Sequence, residues 1–266
     1  MPRTLEATAG TAAVTARVRA TLEGVFEAVA RTADEAAHLL AAASAPAPGS
    51  RGPGSSGPGG RGPVTADLAA LRPALHRRLG EERLVSGIGF VAAPGLLADV
   101  PAWLEWWQSA PEGAVRPLLL DLDPGTSAYS DYTHWDWYAL PRDTGARTVA
   151  GPYVDYLCSE EYSLTLAAPV RVAGRFAGVA AADVYLRHFE AEVMPLLQGL
   201  PYRASLVNAR GRVAASTDPR HLAGSLLKGP DFAGVLASPH PVAHAGLTLT
   251  PCEGIPLLLV TPAAAS

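Results

Sequence analysis

The chain of 266 residues has little of what would cross-link it, anchor it or give it a strong charge. It has two cysteines, Cys158 and Cys252, so at most one disulfide can form, and two reduced, partly buried thiols are the simpler expectation. The net charge is −4 and both signs are scattered, which gives no electrostatic footprint for nucleic acid or an anionic membrane surface. No apolar run approaches the roughly 18 residues of a membrane-spanning helix, and the N-terminus lacks the pattern of a secretory signal. We therefore expect a cytoplasmic protein that binds neither membrane nor nucleic acid directly.

The motifs of common enzymes are also missing. The sequence contains no G-x-S-x-G elbow, no P-loop, no H-E-x-x-H and no dinucleotide fingerprint. Asp121 and Asp123 resemble a carboxylate pair, but aspartates before a Pro-Gly turn are more often structural. His240 and His244 are four apart in a proline-broken, strand-like stretch, so helical pairing at a metal is not expected. We expect no catalytic residue, no metal and no cofactor.

The first 80 residues are predicted to be helical, with one interruption. Apolar residues recur at helical spacing from Thr11 to about Ala43, and this amphipathic helix needs a partner for its apolar stripe, either the following helix or a second copy of the chain. Residues 46–63 are Gly or Pro at 12 of 18 positions, which predicts a flexible linker. A second helix is predicted over residues 65–79 in spite of Pro73.

Beyond Gly80 the pattern changes to short strands. Apolar or alternating runs bounded by Pro and Gly predict strands over 84–92, 102–108, 116–122, 154–158, 162–172 and 175–186. Ala173-Gly174 predicts a tight turn that makes the last two a hairpin. A helix, a second hairpin around Asn208, a short helix near 220–236 and strands over 242–250 and 255–260 follow. The predicted fold class is α+β, with a module over residues 81–186 and a smaller one over 187–266.

Aromatic residues are concentrated in YSDYTHWDWY, residues 129–138, which holds five of the thirteen Tyr and Trp residues. In an extended segment Trp135 and Trp137 would share one face. The same alternation pairs Tyr153 with Asp155, and it places Asp183 on one face of its strand with Val179 and Ala181, at the end of the strand.

If these strands are neighbours, the aromatic and acidic side chains converge on one cavity. Aromatic faces attract a cation by about 0.5–2 kcal/mol per desolvated contact, and a buried aspartate needs a positive partner. The cavity would therefore suit an amine. The alternative, in which the tryptophans fill a core and the aspartates cap turns, stays open on the pattern alone.

Residues 151–183, GPYVDYLCSEEYSLTLAAPVRVAGRFAGVAAAD, resemble the double-Cache family of sensor domains, together with the upstream W-x-W-Y-x-x-P and the downstream LVNARGRVAAS. The resemblance covers roughly residues 5–215. It implies a PAS-like antiparallel sheet with flanking helices behind a long N-terminal helix, followed by a truncated second module. The lack of a membrane segment or output domain indicates a free-standing member of the family.

The resemblance also implies the ligand site. In the branch that binds amino acids, an Arg-x-Trp pair, a Tyr and a later Asp hold the ligand. Trp137, Tyr153 and Asp183 match the last three, Tyr129 matches an upstream Tyr, and Asp155 matches a further acidic position. Trp135 stands where the family has Arg, and an indole cannot replace the bidentate grip of a guanidinium on a carboxylate.

This departure favours an amine-containing ligand, namely a biogenic amine, a polyamine or a quaternary ammonium compound. An amino acid is the alternative, and Arg142 could then supply the contact to its carboxylate. The expected function is a small-molecule sensor that forms a homodimer and signals to a separate regulator, such as a transcription factor or a kinase. A dimerising interaction protein with a vestigial pocket is the second alternative.

Overall fold

The computed structural model describes residues 2–45, 61–110, 113–123, 125–126, 131–154 and 162–263. Within them, two compact units are distinguished. Unit 1 comprises residues 1–27, 147–166 and 183–266, and unit 2 comprises residues 28–146 and 167–182. Most of the predicted linker at 46–63 lies outside the described residues, as does Cys158. The predicted division into domains ending at residues 80 and 186 stays a prediction.

Helices open the chain, as predicted. Helix α1 spans Pro2–Ser44, and it is followed by α2 (Thr65–Leu68), a single 3₁₀ turn (Ala69–Leu71) and α3 (Arg72–Glu81). Pro73 is tolerated because it lies in the first turn of α3, where its missing N–H has no partner to lose. None of the described helices is long and apolar enough to span a bilayer.

Within unit 2, the C-terminal part of α1 finds its partner in the following helix. Arg78 of α3 is almost completely buried and donates to Thr32 Oγ1 (2.9 Å) and to Glu35 Oε1 (2.5 Å). The following helix, one of the two predicted partners of α1, is therefore hydrogen-bonded to its C-terminal part in this unit. The homodimer through α1 remains a prediction.

The first sheet has six strands in the order β3-β2-β1-β6-β5-β4. Their bounds are β1 Val85–Ala92, β2 Leu104–Ser109, β3 Val115–Pro117, β4 Thr148–Val154, β5 Tyr162–Val172 and β6 Arg175–Tyr185. Helix α4 (Asp136–Thr144) precedes β4 in the chain, and α5 (Leu186–Gln198) follows β6. Without the short edge strand β3, the five remaining strands follow the order second, first, fifth, fourth, third.

The second sheet repeats that order. Its strands are β7 (Ser205–Asn208), β8 (Val213–Ser216), β9 (Val242–His244), β10 (Leu247–Pro251) and β11 (Leu257–Pro262), with helix α6 (Phe232–Leu236) before β9. They lie in the order β8-β7-β11-β10-β9, and every pair in this sheet is antiparallel. The α+β fold with a PAS-like sheet is confirmed, and the smaller second module carries the same five-strand order.

Two hairpins depend on backbone that turns through positive φ. Between β5 and β6, Ala173 (φ 48°) and Gly174 (φ 78°) form the predicted two-residue loop. Ala245 (φ 48°) and Gly246 (φ 78°) repeat it between β9 and β10. The prediction of one strand over 242–250 was therefore wrong, because this second loop divides the segment into a hairpin.

Two other elements are shorter than predicted. The strand expected over 116–122 ends at Pro117, and beyond it Asp121 and Asp123 each accept a hydrogen bond from a backbone N–H two residues on, at 3.0 and 2.8 Å. Such local bonds compete with a strand ladder. The structural role of these aspartates stays a prediction. The helix expected over 220–236 is confined to α6, because Gly224 (φ 85°) and Gly229-Pro230 interrupt it.

Candidate functional site

A series of hydroxyl groups in unit 1 leads to a buried carboxylate. Thr165 Oγ1 donates to Asp183 Oδ1 (2.6 Å), and the Tyr153 hydroxyl is hydrogen-bonded to the same Thr165 oxygen. Because a threonine has a single hydroxyl proton, already given to Asp183, Tyr153 must be the donor to Thr165. The series therefore runs in one direction, from Tyr153 through Thr165 to Asp183.

Three strands position these side chains. Tyr153 lies on β4, Thr165 on β5 and Asp183 on β6, and these strands are consecutive neighbours in the first sheet. Gly151 adopts φ 93°, and a Cβ there would lie 2.6 Å from the carbonyl oxygen of Ser163. Only glycine allows β4 to approach β5 so closely two residues before Tyr153.

The carboxylate at the end of the series is well placed to bind a cation. Asp183 is 8% exposed, and the hydroxyl of Thr165 stabilises its charge without neutralising it. A carboxylate offers about four acceptor positions, so a ligand ammonium group can donate to it alongside Thr165. The arrangement can bind a charged amine.

Thr165 is a site residue that the sequence reasoning missed. Its strand, YSLTLAAPVRV, is buried over most of its length, yet Ser163 and Thr165 place two hydroxyls in that buried run. Buried polar side chains usually have a hydrogen-bond partner. Ser163 and Thr165 are therefore the signal in the sequence that this strand takes part in a buried hydrogen-bond network.

The aromatic residues lie in unit 2, and the extended conformation predicted for them was wrong. Asp136 begins helix α4, Trp135 is its N-cap residue, and Gly145 ends it with φ 70°. Asp136 in the first turn and Arg142 in the last turn complement the helix dipole, and glycine is the common residue just past a helix. These end signals were present in the sequence and outweigh its period-two spacing.

The helix still brings the two predicted tryptophans together. The rings of Trp135 and Trp137 meet edge to face, with 6.4 Å between centroids and 74° between planes. Tyr132 stacks on Trp137 at 6.4 Å and meets Tyr138 at 5.1 Å, and Phe176 of β6 closes on Tyr138 at 5.7 Å. The result is a continuous aromatic cluster built on α4 and the residues just before it.

Two buried donors in this part of unit 2 have no acceptor. The Tyr138 hydroxyl and Trp106 Nε1 belong to one hydrophobic cluster, and neither has a hydrogen-bond partner among the described residues. Burial raises the pKa of Tyr138 to about 12, so its hydroxyl keeps its proton and remains a donor. A buried donor without an acceptor is costly, so a group that brings an acceptor oxygen would be favoured in this cluster.

Arg142 is largely engaged by its neighbours. Its Nε donates to Asp143 Oδ1 (2.7 Å), its Nη1 donates to the Thr133 carbonyl oxygen (3.1 Å), and the guanidinium lies 6.0 Å from the centre of the Tyr138 ring. The suggested contact with a ligand carboxylate would have to compete with Asp143. His134 is exposed and lies 3.6 Å from an oxygen of Asp131.

The predicted site residues thus fall into three groups. Tyr153 and Asp183 are joined through Thr165 in unit 1, and Trp135 and Trp137 are in contact in unit 2. Tyr129 and Asp155 lie outside the described residues. Across the described part of the chain, no group of three or more His, Cys, Asp and Glu side chains is arranged to hold a metal ion.

Comparisons with known proteins agree with this fold. Residues 120–191 match the family model described as the first PDC sensor domain of methyl-accepting chemotaxis protein-like proteins. That segment runs through α4, β4, β5 and β6, and it includes the predicted site residues of each unit. No curated protein sequence matches the chain.

Solved structures extend the similarity over nearly the whole chain. The structure named methyl-accepting chemotaxis protein X is 16% identical, covers 96% of this chain and 97% of its own, and superposes with a TM-score of 0.57. The ligand-binding domain of the Pseudomonas fluorescens chemoreceptor CtaA, in complex with L-valine, is 17% identical and covers 95% of this chain and 93% of its own, with a TM-score of 0.55. The ligand-binding domain of the Pseudomonas aeruginosa chemoreceptor PctC, in complex with GABA, is 19% identical and covers 94% and 95%, with a TM-score of 0.51. The resemblance to double-Cache sensor domains is confirmed.

Proposed function

We propose that this chain, which has the double-Cache fold, is a small-molecule sensor domain whose ligand carries an ammonium group. The observation that carries the proposal is the hydrogen-bonded series from Tyr153 through Thr165 to the buried carboxylate of Asp183. A carboxylate has about four acceptor positions, and an ammonium group brings both the opposite charge and three donors.

The same series favours a ligand over a purely structural role for these residues. Thr165 gives its only proton to Asp183, and Tyr153 gives its proton to Thr165, so each hydroxyl already points toward the carboxylate. Hydrogen bonds aligned in this way polarise one another and make the carboxylate a preorganised acceptor. Preorganisation lowers the entropic cost of binding.

We infer that the ligand is an amino acid, in preference to an amine without a carboxylate. The amine was the first expectation, because Trp135 stands where related sequences have arginine. The similar ligand-binding domains bear on this point, since CtaA is seen with L-valine and PctC with GABA, and both compounds carry an ammonium and a carboxylate group. Neutral donors can also bind a carboxylate, so the loss of one guanidinium does not exclude an amino acid.

The signalling role follows the same line. Methyl-accepting chemotaxis proteins and chemoreceptors are among the structural relatives, which supports the coupling of ligand binding to a downstream signal. We propose that this chain acts on a separate regulator, a transcription factor or a kinase, and forms a homodimer through α1. Its location in the cytoplasm and the absence of enzymatic activity stay predictions.

Calorimetric titration with paired ligands tests the proposal. The panel contains the twenty amino acids and GABA, together with decarboxylated counterparts such as isobutylamine for valine and agmatine for arginine. Wild-type protein should bind at least one amino acid and bind its decarboxylated counterpart more weakly. A stronger response to the amine would restore the first expectation, and no binding across the panel would favour an interaction protein with a vestigial pocket.

A matched pair of variants locates the binding site. Asp183→Asn keeps the shape of the side chain but removes its charge, and a hydrogen bond to a charged group contributes about 1.5–3 kcal/mol, so affinity should fall roughly 10- to 150-fold. Asp34→Asn makes the same chemical change at an exposed position of α1 and should leave affinity unchanged. Equal affinities in the two variants would contradict the role of Asp183.

A further inference from the structure

A cavity of about 190 Å³ lies at one end of the second sheet, within unit 1. The segments that form it are the start of β7, the turn after β8, the start of β10 and the end of β11. Its wall combines charged and apolar side chains, among them Arg203, Asp218, Arg220, Leu227, Leu247 and Val260. None of these residues belongs to the hydroxyl series that ends on Asp183.

Two guanidinium groups share one carboxylate in this wall. Asp218 accepts from Arg220 Nη2 (2.7 Å) and Nε (3.0 Å), and more distantly from Arg203 Nη1 (3.4 Å). In the part of the chain that the structure describes, neither arginine is paired with a second acidic group. One carboxylate neutralises one guanidinium, so the wall keeps an excess of one positive charge. His221 lies 3.5 Å from Asp218 Oδ2 and adds to this excess when it is protonated.

The two arginines keep donors that a ligand can reach. Their side chains are 58% exposed at Arg203 and 73% at Arg220, and a guanidinium has five N–H groups. Arg203 spends one nitrogen on Asp218, and Arg220 spends two, which leaves its Nη1 unused. Asp218 is itself nearly buried and also accepts from the backbone N–H of Arg220 (3.1 Å), so its position is fixed. The carboxylate therefore holds both guanidinium groups beside the cavity without saturating them.

The remainder of the wall is apolar. Val260 belongs to the hydrophobic cluster of the second sheet, and Leu227 and Leu247 pack against that cluster while staying partly exposed. An apolar cavity of about 150 Å³ already holds benzene, so this cavity can take a body of a few carbon atoms. Burying such a body against the two leucines is favourable because it removes apolar surface from water.

We propose that this cavity is a second ligand site, which binds a small monocarboxylate with a short apolar body. The carboxylate accepts hydrogen bonds from Arg203 and Arg220, and the body packs on Leu227 and Leu247. A guanidinium is the side chain best suited to a carboxylate, and a ligand with one negative charge matches the excess charge of the wall. This site is distinct from the proposed amino-acid site and does not depend on it.

Three probes test the class of ligand. Isovalerate has the carboxylate and the apolar body, isovaleramide keeps the shape without the charge, and acetate keeps the charge without the body. Titration at low ionic strength, followed in ¹H–¹⁵N spectra, should show isovalerate moving the backbone amide signals of Arg220 and His221 to saturation.

The two other probes should bind more weakly. Isovaleramide should lose about three- to tenfold in affinity, as expected without two partly exposed ion pairs. Acetate should lose about fourfold or more, the contribution of at least one buried methylene group. No saturable shift with isovalerate, or an affinity for isovaleramide equal to that for isovalerate, would overturn the proposal. An equal affinity for acetate would also overturn it, because the arginines would then attract any small anion.

A matched pair of variants tests the role of the arginine. Arg203→Gln should lower isovalerate affinity about two- to fivefold, as expected for one exposed ion pair, and leave isovaleramide affinity unchanged. Arg19→Gln makes the same chemical change at an exposed ion pair with Glu253 (2.8 Å), outside the cavity, and should leave both affinities unchanged. Equal isovalerate affinities in the two variants would contradict the proposal.

Two further variants show where the probe binds. Leu247→Trp fills the cavity and should abolish the binding of isovalerate, whereas Asp183→Asn should leave it unchanged. Retained affinity in Leu247→Trp, or a loss in Asp183→Asn, would place the probe elsewhere and overturn the proposal. The arginine pair decides the matter if Leu247→Trp fails to fold.

Discussion

Replacing Thr165 by valine removes one hydroxyl from the site while keeping the side-chain volume nearly constant. Thr165 is buried, donates to the carboxylate of Asp183 (2.6 Å) and accepts from the hydroxyl of Tyr153. A hydrogen bond to a charged group contributes about 1.5–3 kcal/mol and one between neutral groups about 0.5–1.5 kcal/mol. Because valine makes neither hydrogen bond and adds no polar group of its own, the loss is that of the two bonds. We expect the free energy of unfolding to fall by about 2–4 kcal/mol in the absence of ligand.

Thr165→Ser is the matched control for this change. Serine keeps the hydroxyl and both hydrogen bonds but loses a buried methyl group, which costs about 1 kcal/mol. Urea unfolding followed by far-UV circular dichroism measures both variants, and this probe is needed because all five tryptophans lie outside unit 1. A valine variant at least as stable as the serine variant would refute the directed series of hydrogen bonds and, with it, the preorganised carboxylate.

Three further predictions concern backbone, thiol and charge. A Cβ added at Gly178 (φ 147°) would lie against a neighbouring backbone oxygen, whereas a Cβ at Gly174 (φ 78°) would meet open space. In urea unfolding, Gly178→Ala should therefore lower the free energy of unfolding by about 1–3 kcal/mol more than Gly174→Ala, and equal losses would contradict the close approach. Burial raises the pKa of the Cys252 thiol to about 12, so iodoacetamide at pH 8 should label this cysteine only after unfolding, in a variant whose other cysteine is replaced by serine. Mass spectrometry measures the labelling, and native protein labelled as fast as unfolded protein would refute the prediction. The hydrogen bond from Arg220 holds the pKa of Asp218 below its usual range, so this carboxylate stabilises the fold above its unfolded pKa of about 4 and loses that contribution as pH falls. Asp218→Asn should therefore be less stable than wild type at pH 7, and urea unfolding at a series of pH values should show the difference shrinking below about pH 4. A difference that does not change with pH would argue against the pairing.

Periodicity and turn chemistry predicted most of the elements because these signals are local. The hairpin between β5 and β6 follows from Ala173-Gly174, which can adopt the positive φ angles that a two-residue loop requires. Helix α1 follows from apolar spacing in an alanine-rich background. Where two local signals compete the prediction failed, as at Trp135, whose period-two aromatic spacing is overruled by the N- and C-terminal signals of α4.

The candidate site was predictable only in part. Tyr153 and Asp183 were found through a resemblance to a family pattern, which marks positions but says nothing about the groups between them. Thr165 was missed because it belongs to no recognisable motif. Its hydrogen bonds to Tyr153 and Asp183 depend on β5 lying between β4 and β6. Sequence spacing cannot show which strand lies between two others, since strand order is set by pairing between distant segments.

The sequence by itself determined the class of this protein, an α+β chain with a long N-terminal helix, antiparallel hairpins and an aromatic stretch beside carboxylates. These properties depend on side-chain period, turn residues and composition, which act over a few residues. Only the tertiary structure decided that both sheets share one strand order, that a threonine hydroxyl links Tyr153 to Asp183, and that the buried Tyr138 hydroxyl has no acceptor among the described residues. Each of these depends on contacts between distant segments, and hydrogen-bond satisfaction of a buried group can be assessed only when all its neighbours are in place.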